Sequence, residues 1–222
     1  MDRDVALLLF GVASFVFVGW PSLKRLLQWL VPAAIRCEFR AGPEAVTDSQ
    51  QPEAVRKRVR QMRALDFHPL GMKREWWPLW PASQALELAN PEIPSFAAVY
   101  HLGDHPLIYF YTPFLDGSVV LTADHENANL EMDGYIHAGI NGGEPDELLA
   151  LHRENLRRVC DQGHIPCSYC DQATRLEATR AFYAHRGTRR ILRRFMRRDL
   201  VLLIFPLVVL ATGLARLLMI LR

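Results

Sequence analysis

The chain is apolar at both ends and mixed in the middle. Residues 5–23 carry no charge, and a second apolar segment, residues 200–221, carries only Arg216. Nineteen helical residues span about 28 Å, close to the hydrocarbon thickness of a bilayer. The N-terminus lacks the basic start and the small-residue cleavage site of a signal peptide. We therefore predict two transmembrane helices, within residues 1–23 and 199–222.

Basic residues flank these apolar segments mainly on their inner sides. Loops rich in Lys and Arg stay in the cytoplasm, so the bias predicts a two-pass protein of the cell membrane. The central domain is then cytoplasmic, and both termini lie on the opposite side. Eleven basic residues on the inner sides stand against three on the outer sides: Lys24, Arg25, Arg36, Arg40, Arg186, Arg189, Arg190, Arg193, Arg194, Arg197 and Arg198 against Arg3, Arg216 and Arg222.

Amphipathic stretches adjoin both apolar segments, at residues 24–36 and 186–198. In the second stretch an apolar stripe that includes Ile191 and Phe195 runs between pairs of arginines, which suits a helix lying among anionic lipid headgroups. An interfacial anchor is the simplest role, and a lipid sensor or a docking site for an acidic partner is the alternative. The predicted contact residues are Arg189, Arg190, Arg193, Arg194, Arg197 and Arg198.

The central domain, residues 37–185, has the pattern of an α+β fold. Between residues 96 and 124, three runs rich in Val, Ile, Tyr and Phe are separated by short breaks that contain glycine. Such spacing predicts an antiparallel meander. Residues 37–40 and 135–140 are candidate further strands, which gives a small antiparallel sheet of three to five strands.

Helical periodicity predicts two or three helices that back this sheet. One begins near Pro52 and ends near Asp66, and the segment 67–71 is expected to form its exit turn. Another begins at Glu144, with proline and acids in its first turn, and His152 on its apolar stripe is expected to be a core residue. A third begins near Asp171.

Residues 76–81 contain three tryptophans and two prolines. The prolines exclude a regular helix and favour an extended segment. Indole rings suit a membrane interface or the wall of a groove, so Trp76, Trp77 and Trp80 are candidate contacts for a partner or for the membrane. The alternative is packing against the sheet of the domain itself.

A cluster of cysteine and histidine is the sharpest candidate for chemistry. Cys160, His164, Cys167 and Cys170 provide four zinc ligands within eleven residues. The spacing leaves almost no loop between the ligand pairs, so the alternative is four side chains in a helix–turn–helix with buried cysteines. Zinc is therefore the alternative prediction, and the principal one is that the protein carries no cofactor.

Histidines and acids at the ends of the predicted strands form a second constellation, which suits either acid–base chemistry or a bound metal. Turn chemistry explains several of them equally well. The sequence contains no P-loop, dinucleotide-binding glycine pattern, serine elbow or HExxH helix. The residues of this constellation are His101, Asp104, His105, Asp124, His125, Glu126 and His137.

Composition and charge exclude several classes of protein. Half of the residues are hydrophobic and 23% are charged, which is too apolar for a disordered chain and too charged for a polytopic transporter. The formal net charge is +2, and since residues 186–198 contribute seven arginines, the rest carries −5. A nucleic-acid-binding core is therefore not expected. Four cysteines exclude a disulfide-rich secreted scaffold and fit a reducing compartment.

These features favour a non-catalytic protein: an accessory or assembly subunit of a larger membrane protein complex. The chain has two simple membrane segments, no catalytic signature and several candidate contact surfaces. The alternatives are a membrane-tethered enzyme, a zinc-binding module built on the cysteine cluster, and a domain that senses the lipid surface.

The predicted topology can be tested with thiol labelling. All four native cysteines lie in the central domain, so a membrane-impermeant maleimide should label them only after the cells are permeabilised and the protein is denatured. A cysteine added after Arg222 should be labelled in intact cells. Labelling of native cysteines in intact cells that contain folded protein would contradict the predicted orientation.

Overall fold

The computed structural model describes nine stretches of the chain: residues 3–30, 35–46, 51–76, 81–102, 105–125, 130–132, 134–168, 170–184 and 186–220. By its internal contacts the chain divides into two compact units. The helical unit comprises Met1–Ile35, Trp77–Trp80 and Arg189–Arg222. The sheet domain comprises Arg36–Trp76 and Pro81–Thr188.

The helical unit contains two long apolar helices. The first consists of α1 (Arg3–Ser14), a π-helical turn (Phe15–Gly19) and α2 (Trp20–Leu30) without a break, and the second is α6 (Arg186–Ile220). Each helix contains a segment, Val5–Lys24 or Asp199–Arg216, with a mean hydropathy of 2.0. Both are long and apolar enough to span a membrane, as the sequence predicts.

Glycines let these two helices approach closely. A Cβ added at Gly213 would lie 3.2 Å from the Cα of Leu8, and one added at Gly11 would lie 3.1 Å from the backbone nitrogen of Leu210. Because Leu8 lies opposite Gly213 and Gly11 opposite Leu210, the helices run antiparallel. Small residues at such contacts allow the extensive van der Waals packing that holds apolar helices together.

The sheet domain contains one eight-stranded sheet in the order β1-β2-β3-β4-β5-β6-β8-β7. Neighbouring strands are antiparallel except β6 and β8, which are parallel. The strands are β1 (Arg36–Ala41), β2 (His68–Trp76), β3 (Ser83–Asn90), β4 (Ser95–Leu102), β5 (His105–Pro113), β6 (Val119–Ala123), β7 (Leu130–Met132) and β8 (Tyr135–Gly139). The helices of this domain are α3 (Glu53–Arg63), α4 (Pro145–Asp161) and α5 (Gln172–Ala184), with a 3₁₀ turn at Pro43–Val46.

The α+β class and the meander β4-β5-β6 are confirmed, but the prediction of three to five strands is too small. Strands β2, β3 and β7 were not predicted, and the predicted exit turn at 67–71 is wrong because β2 begins at His68. Strand β2 is hard to recognise in the sequence because it contains Lys73, Arg74 and Glu75, and charged residues are depleted from ordinary strands. The fourth predicted strand, β8, exists but pairs parallel with β6.

Helices α3 and α4 pack on one face of the sheet and form the apolar core. Val55, Val59 and Met62 of α3 and Leu148 of α4 are buried against a cluster of strand side chains that includes Phe110. The predicted stripes of both helices are therefore confirmed. A capping box at Glu144 and Glu147 fixes the first turn of α4.

His152 of α4 lies within this core and is a fully buried polar residue. Its Nε2 lies 2.9 Å from Oγ1 of Thr112, and its Nδ1 lies 3.0 Å from Oγ1 of Thr122. Both ring nitrogens thus have partners, which satisfies a neutral imidazole. Burial lowers the pKa of His152 to about 3. The expectation of a core histidine is confirmed.

This histidine should make folding depend on pH. Below pH 6.5 the unfolded chain protonates His152 while the folded chain does not, so the stability that is present above pH 6.5 falls as the pH approaches 3. The loss from His152 alone should reach about 3 kcal/mol at pH 4. His152→Gln should flatten the dependence of unfolding free energy on pH, relative to the exposed control His68→Gln. Equal slopes in the two variants would contradict the assignment.

Candidate functional site

Four charged side chains are buried between the sheet and α5, on the face opposite α3 and α4. Lys73 and Glu75 come from β2, Glu87 from β3 and Arg175 from α5, and each is 5% exposed or less. The ammonium Nζ of Lys73 lies 2.7 Å from Oε1 of Glu75 and 2.7 Å from Oε1 of Glu87. We call these four residues the charged cluster.

Arg175 attaches α5 to the sheet through this cluster. Its Nε donates to Oε2 of Glu87 at 2.8 Å, and its Nη2 donates to Oε1 of Glu87 at 3.2 Å, a bidentate pair. Nη1 donates to Oγ1 of Thr179 at 2.8 Å, and Nη2 donates to the Tyr109 hydroxyl at 2.6 Å. The guanidinium carbon lies 4.9 Å from the ring centre of Tyr111, a cation–π distance.

Lys73 and Glu87 stay ionised because opposite charges of the cluster surround each of them. Burial opposes the charge of Glu87, but Arg175 and Lys73 outweigh burial and lower its pKa. Burial and Arg175 oppose the charge of Lys73, but Glu87 and Glu75 help to raise its pKa. The two cations and two carboxylates sum to zero.

A cavity of about 340 Å³ adjoins the charged cluster, between the sheet and α5. Five of its fourteen lining residues are tyrosine or phenylalanine, and six are polar or charged. The lining residues are Glu75, Ser83, Tyr100, Leu107, Tyr109, Tyr111, Leu121, Ala123, His125, His137, Arg175, Thr179, Phe182 and Tyr183. Small Ala123 leaves space in the floor, where a larger side chain would occupy the volume.

The fold brings two of the strand-end histidines to this cavity, His125 and His137. Asp124 beside them is buried, and its Oδ1 accepts the backbone N–H of Ile108 at 3.0 Å. The same oxygen lies 3.3 Å from Nδ1 of His125. His101 and His105 lie on β4 and β5, while their side chains, together with Asp104 and Glu126, lie outside the described residues.

The four candidate zinc ligands lie in different surroundings. The Sγ of Cys170 donates to the Asn90 carbonyl at 3.7 Å, and Nδ1 of His164 lies 2.5 Å from Oδ2 of Asp116. Cys160 lies on α4 against an apolar cluster, and Cys167 donates its backbone N–H to Pro113. In the described part of the chain, no three His, Cys, Asp or Glu side chains converge as metal ligands do.

Burial also keeps these thiols protonated. It raises the pKa of the Cys170 thiol to about 11, with Asp171 and Cys167 adding to the effect. It likewise raises the pKa of Cys160 and that of Cys167. The thiolate is the form that attacks electrophiles, so these environments do not favour a nucleophilic role. The geometry gives the zinc hypothesis no support.

The predicted contact residues are only partly described. Trp76 ends β2, and its ring centre lies 5.3 Å from the guanidinium carbon of Arg40 and 4.8 Å from that of Arg74. Trp77 and Trp80 lie outside the described residues. Arg197 on α6 is exposed, and the other arginine side chains lie outside the described residues: Arg189, Arg190, Arg193, Arg194 and Arg198.

Two large apolar side chains are exposed on the described surface of the sheet domain. Leu115 is 70% exposed and Ile165 is 63% exposed. They lie on adjacent loops, since the backbone N–H of Leu115 donates to the Ile165 carbonyl at 2.9 Å. We call these two residues the apolar patch.

The charged cluster was not predicted from the sequence. A local signal was present on β2, where Lys73 and Glu75 alternate with Met72 and Arg74 as on the two faces of a strand. Another was Glu87, a single charge within an otherwise apolar run of strand length. Arg175 gave no signal, because an arginine on a helix is ordinarily solvated.

Comparisons with known proteins identify no family for this chain. No protein-family model matches the chain, and searches of curated proteins and of solved structures also find no match.

Removing one partner of the charged cluster should destabilise the fold strongly. Arg175→Met leaves Glu87 short of a cation and should cost about 3–5 kcal/mol, whereas the double variant Arg175→Met/Glu87→Met keeps Lys73 with Glu75 and should recover most of that loss. Urea unfolding of the full chain measures both. The matched control is Arg158→Met, which breaks an exposed pair with Glu131 and should cost at most about 1 kcal/mol. Equal losses for Arg175→Met and Arg158→Met would contradict the role of the cluster.

Proposed function

We propose that the protein is a membrane-anchored, non-catalytic accessory or assembly subunit of a larger membrane protein complex. Its two apolar helices cross the membrane, its sheet domain is cytoplasmic, and both contact the other subunits. The arginines of residues 186–198 contact anionic lipid headgroups. The observation that carries the proposal is the apolar patch, Leu115 and Ile165, on the surface of the sheet domain. The buried ionisable groups of that domain that are described above have structural partners.

Hydrogen bonds hold the apolar patch in a fixed shape. Besides the bond between Leu115 and Ile165, Phe114 and Pro166 form a β-bridge, and the backbone N–H of Cys167 donates to the Pro113 carbonyl at 2.9 Å. A surface ordered before binding loses little conformational entropy when a partner covers it. Two side chains make a small patch, so it serves as the centre of an interface whose rim is polar.

Charge at the patch is also compensated within the domain. The Asp116 carboxylate beside Leu115 contacts His164, and Ser118 Oγ lies 3.2 Å from Nδ1 of the same histidine. Desolvation opposes the ionisation of Asp116, but hydrogen bonds from Ser118 and His164 outweigh it and lower the Asp116 pKa. A paired carboxylate at the edge of an apolar patch fits the polar rim of a protein interface.

The roles of the buried ionisable groups support a non-catalytic domain. His152 has partners at both nitrogens and a lowered pKa, and the cysteine thiols have raised pKa values. The charged cluster is internally neutralised. Catalytic acids and nucleophiles instead have pKa values near the working pH, as general acid–base catalysis requires.

Native-mass measurement tests the proposal. The full chain, expressed at its natural level and extracted in mild detergent, should elute with other membrane subunits in fixed stoichiometry. Leu115→Ser/Ile165→Ser should weaken this association at least about tenfold, because each substitution removes apolar contact area. The control Glu154→Ser/Arg157→Ser changes two exposed polar residues of α4 and should leave the association unchanged. Wild-type protein that elutes as a monomer or homo-oligomer would contradict the proposal.

One observation favours an enzyme as the second candidate. The buried Asp124 carboxylate approaches Nδ1 of His125, and His125 lines the cavity with His137. A carboxylate that orients an imidazole beside a cavity is the arrangement of a general base. A membrane-tethered enzyme would convert a molecule bound in the cavity and would lose turnover in His125→Gln, whereas the subunit proposal expects that variant to retain full complex assembly.

A further inference from the structure

We propose that the cavity between the sheet and α5 binds a neutral, two-ring aromatic molecule that carries a hydroxyl group. This site is distinct from the apolar patch and goes beyond the proposed role as a subunit. Four properties of the cavity define the ligand class: its volume, the geometry of its aromatic wall, the neutrality of the charged cluster and the position of Glu75.

The volume sets the size of the ligand. The cavity measures about 340 Å³. An apolar cavity of about 150 Å³ suffices to bind benzene, and small-molecule sites begin at about 300 Å³. The space in this domain therefore fits two fused rings with a small substituent.

The aromatic wall sets the shape of the ligand. Tyr100 and Tyr109 lie with ring centres 5.4 Å apart at 30°, nearly parallel on neighbouring strands. On the α5 side, Phe182 meets Tyr111 edge-on at 6.2 Å and meets Tyr183 edge-on at 5.0 Å. These stacked and edge-to-face pairs give the cavity extensive aromatic surface, which suits a flat aromatic molecule.

The charged cluster sets the charge of the ligand. Both oxygens of Glu87 bind Arg175, and Oε1 also binds Lys73, which in turn contacts Glu75. Each charge of the cluster is already paired with an opposite charge. A charged ligand would therefore be buried without an opposite charge to pair with. Burying an uncompensated charge costs several kcal/mol, which a neutral molecule avoids.

Glu75 sets the position of the hydroxyl group. Its side chain is 7% exposed, lines the cavity and meets Lys73 through Oε1. The Glu75 carboxylate is the acceptor for a ligand hydroxyl, because a hydrogen bond to a carboxylate is stronger than one between two neutral groups. The same carboxylate repels an anionic ligand. Ser83 lines the cavity near Glu75, with which it is paired across β2 and β3.

Three probes that share the fluoronaphthalene ring system test the ligand class: 6-fluoro-2-naphthol, 2-fluoronaphthalene as the hydrocarbon reference, and 6-fluoro-2-naphthoate. Their ¹⁹F resonances are followed with the full chain in lipid nanodiscs, and empty nanodiscs give the background from partitioning. The naphthol should bind saturably at one per chain, at least about tenfold more tightly than the hydrocarbon and more tightly still than the anion. This ranking needs no variant and therefore does not depend on the folding of a mutant.

Two variants locate the binding. Ala123→Leu fills the cavity and should abolish saturable naphthol binding, whereas Ala150→Leu adds the same atoms on the exposed face of α4 and should change nothing. Glu75→Gln changes the charged cluster, so urea unfolding first establishes that the variant is folded; in the folded variant the naphthol should bind at least about tenfold more weakly and the hydrocarbon as before. Glu131→Gln is the exposed control for this change of charge.

The results separate the outcomes. The expected ranking, together with loss of binding in Ala123→Leu, supports the proposal. Absence of saturable naphthol binding, equal affinity for naphthol and hydrocarbon, or stronger binding of the naphthoate would overturn it. Naphthol binding that survives in a folded Ala123→Leu would place the site elsewhere and would overturn it as well.

Discussion

The ion pairs between Glu87 and the cations Arg175 and Lys73 fix how α5 lies on the sheet. Apolar contacts are not directional and define the position of a helix on a sheet less sharply than hydrogen bonds do. Here the bidentate pair and the hydrogen bond to Tyr109 define one position of α5. Buried charges stabilise less than apolar packing would, yet they are costly to separate once buried. The cluster therefore specifies the position of α5, and the cavity exists because the helix is held there.

The two faces of the sheet differ in the side chains that they bury. On the face of α3 and α4, apolar side chains fill the space, and His152 is accommodated as a neutral residue with both nitrogens bonded. On the face of α5, charges are retained and aromatic rings leave about 340 Å³ unfilled. A protein that needed only stability would not keep such a space, which is why we assign a ligand to the second face.

The proposed subunit role and the proposed ligand use separate parts of the chain. The apolar patch lies on the loops at Leu115 and Ile165, whereas the cavity is closed by Phe182 and Tyr183 of α5. The helical unit contributes a third surface, because its glycines occupy the contact between the helices while large side chains such as Phe17 and Met219 are exposed. A partner subunit or lipid covers such side chains in a membrane.

The sequence by itself determined the features that local pattern encodes: two apolar helices, the α+β class, the meander of β4 to β6, the stripes of α3 and α4, and His152 as a core residue. Only the tertiary structure showed that β2 and β3 extend the sheet, since Lys73 and Glu75 of β2 are buried in a cluster that Glu87 and Arg175 complete. Residues 73, 87 and 175 are far apart along the chain, and no local pattern records that pairing. The cysteine and histidine cluster shows the converse, because its close spacing suggested zinc while the side chains of His164 and Cys170 contact different partners. Spacing along the chain predicts which face a residue occupies, and the packing of distant segments decides what it meets there.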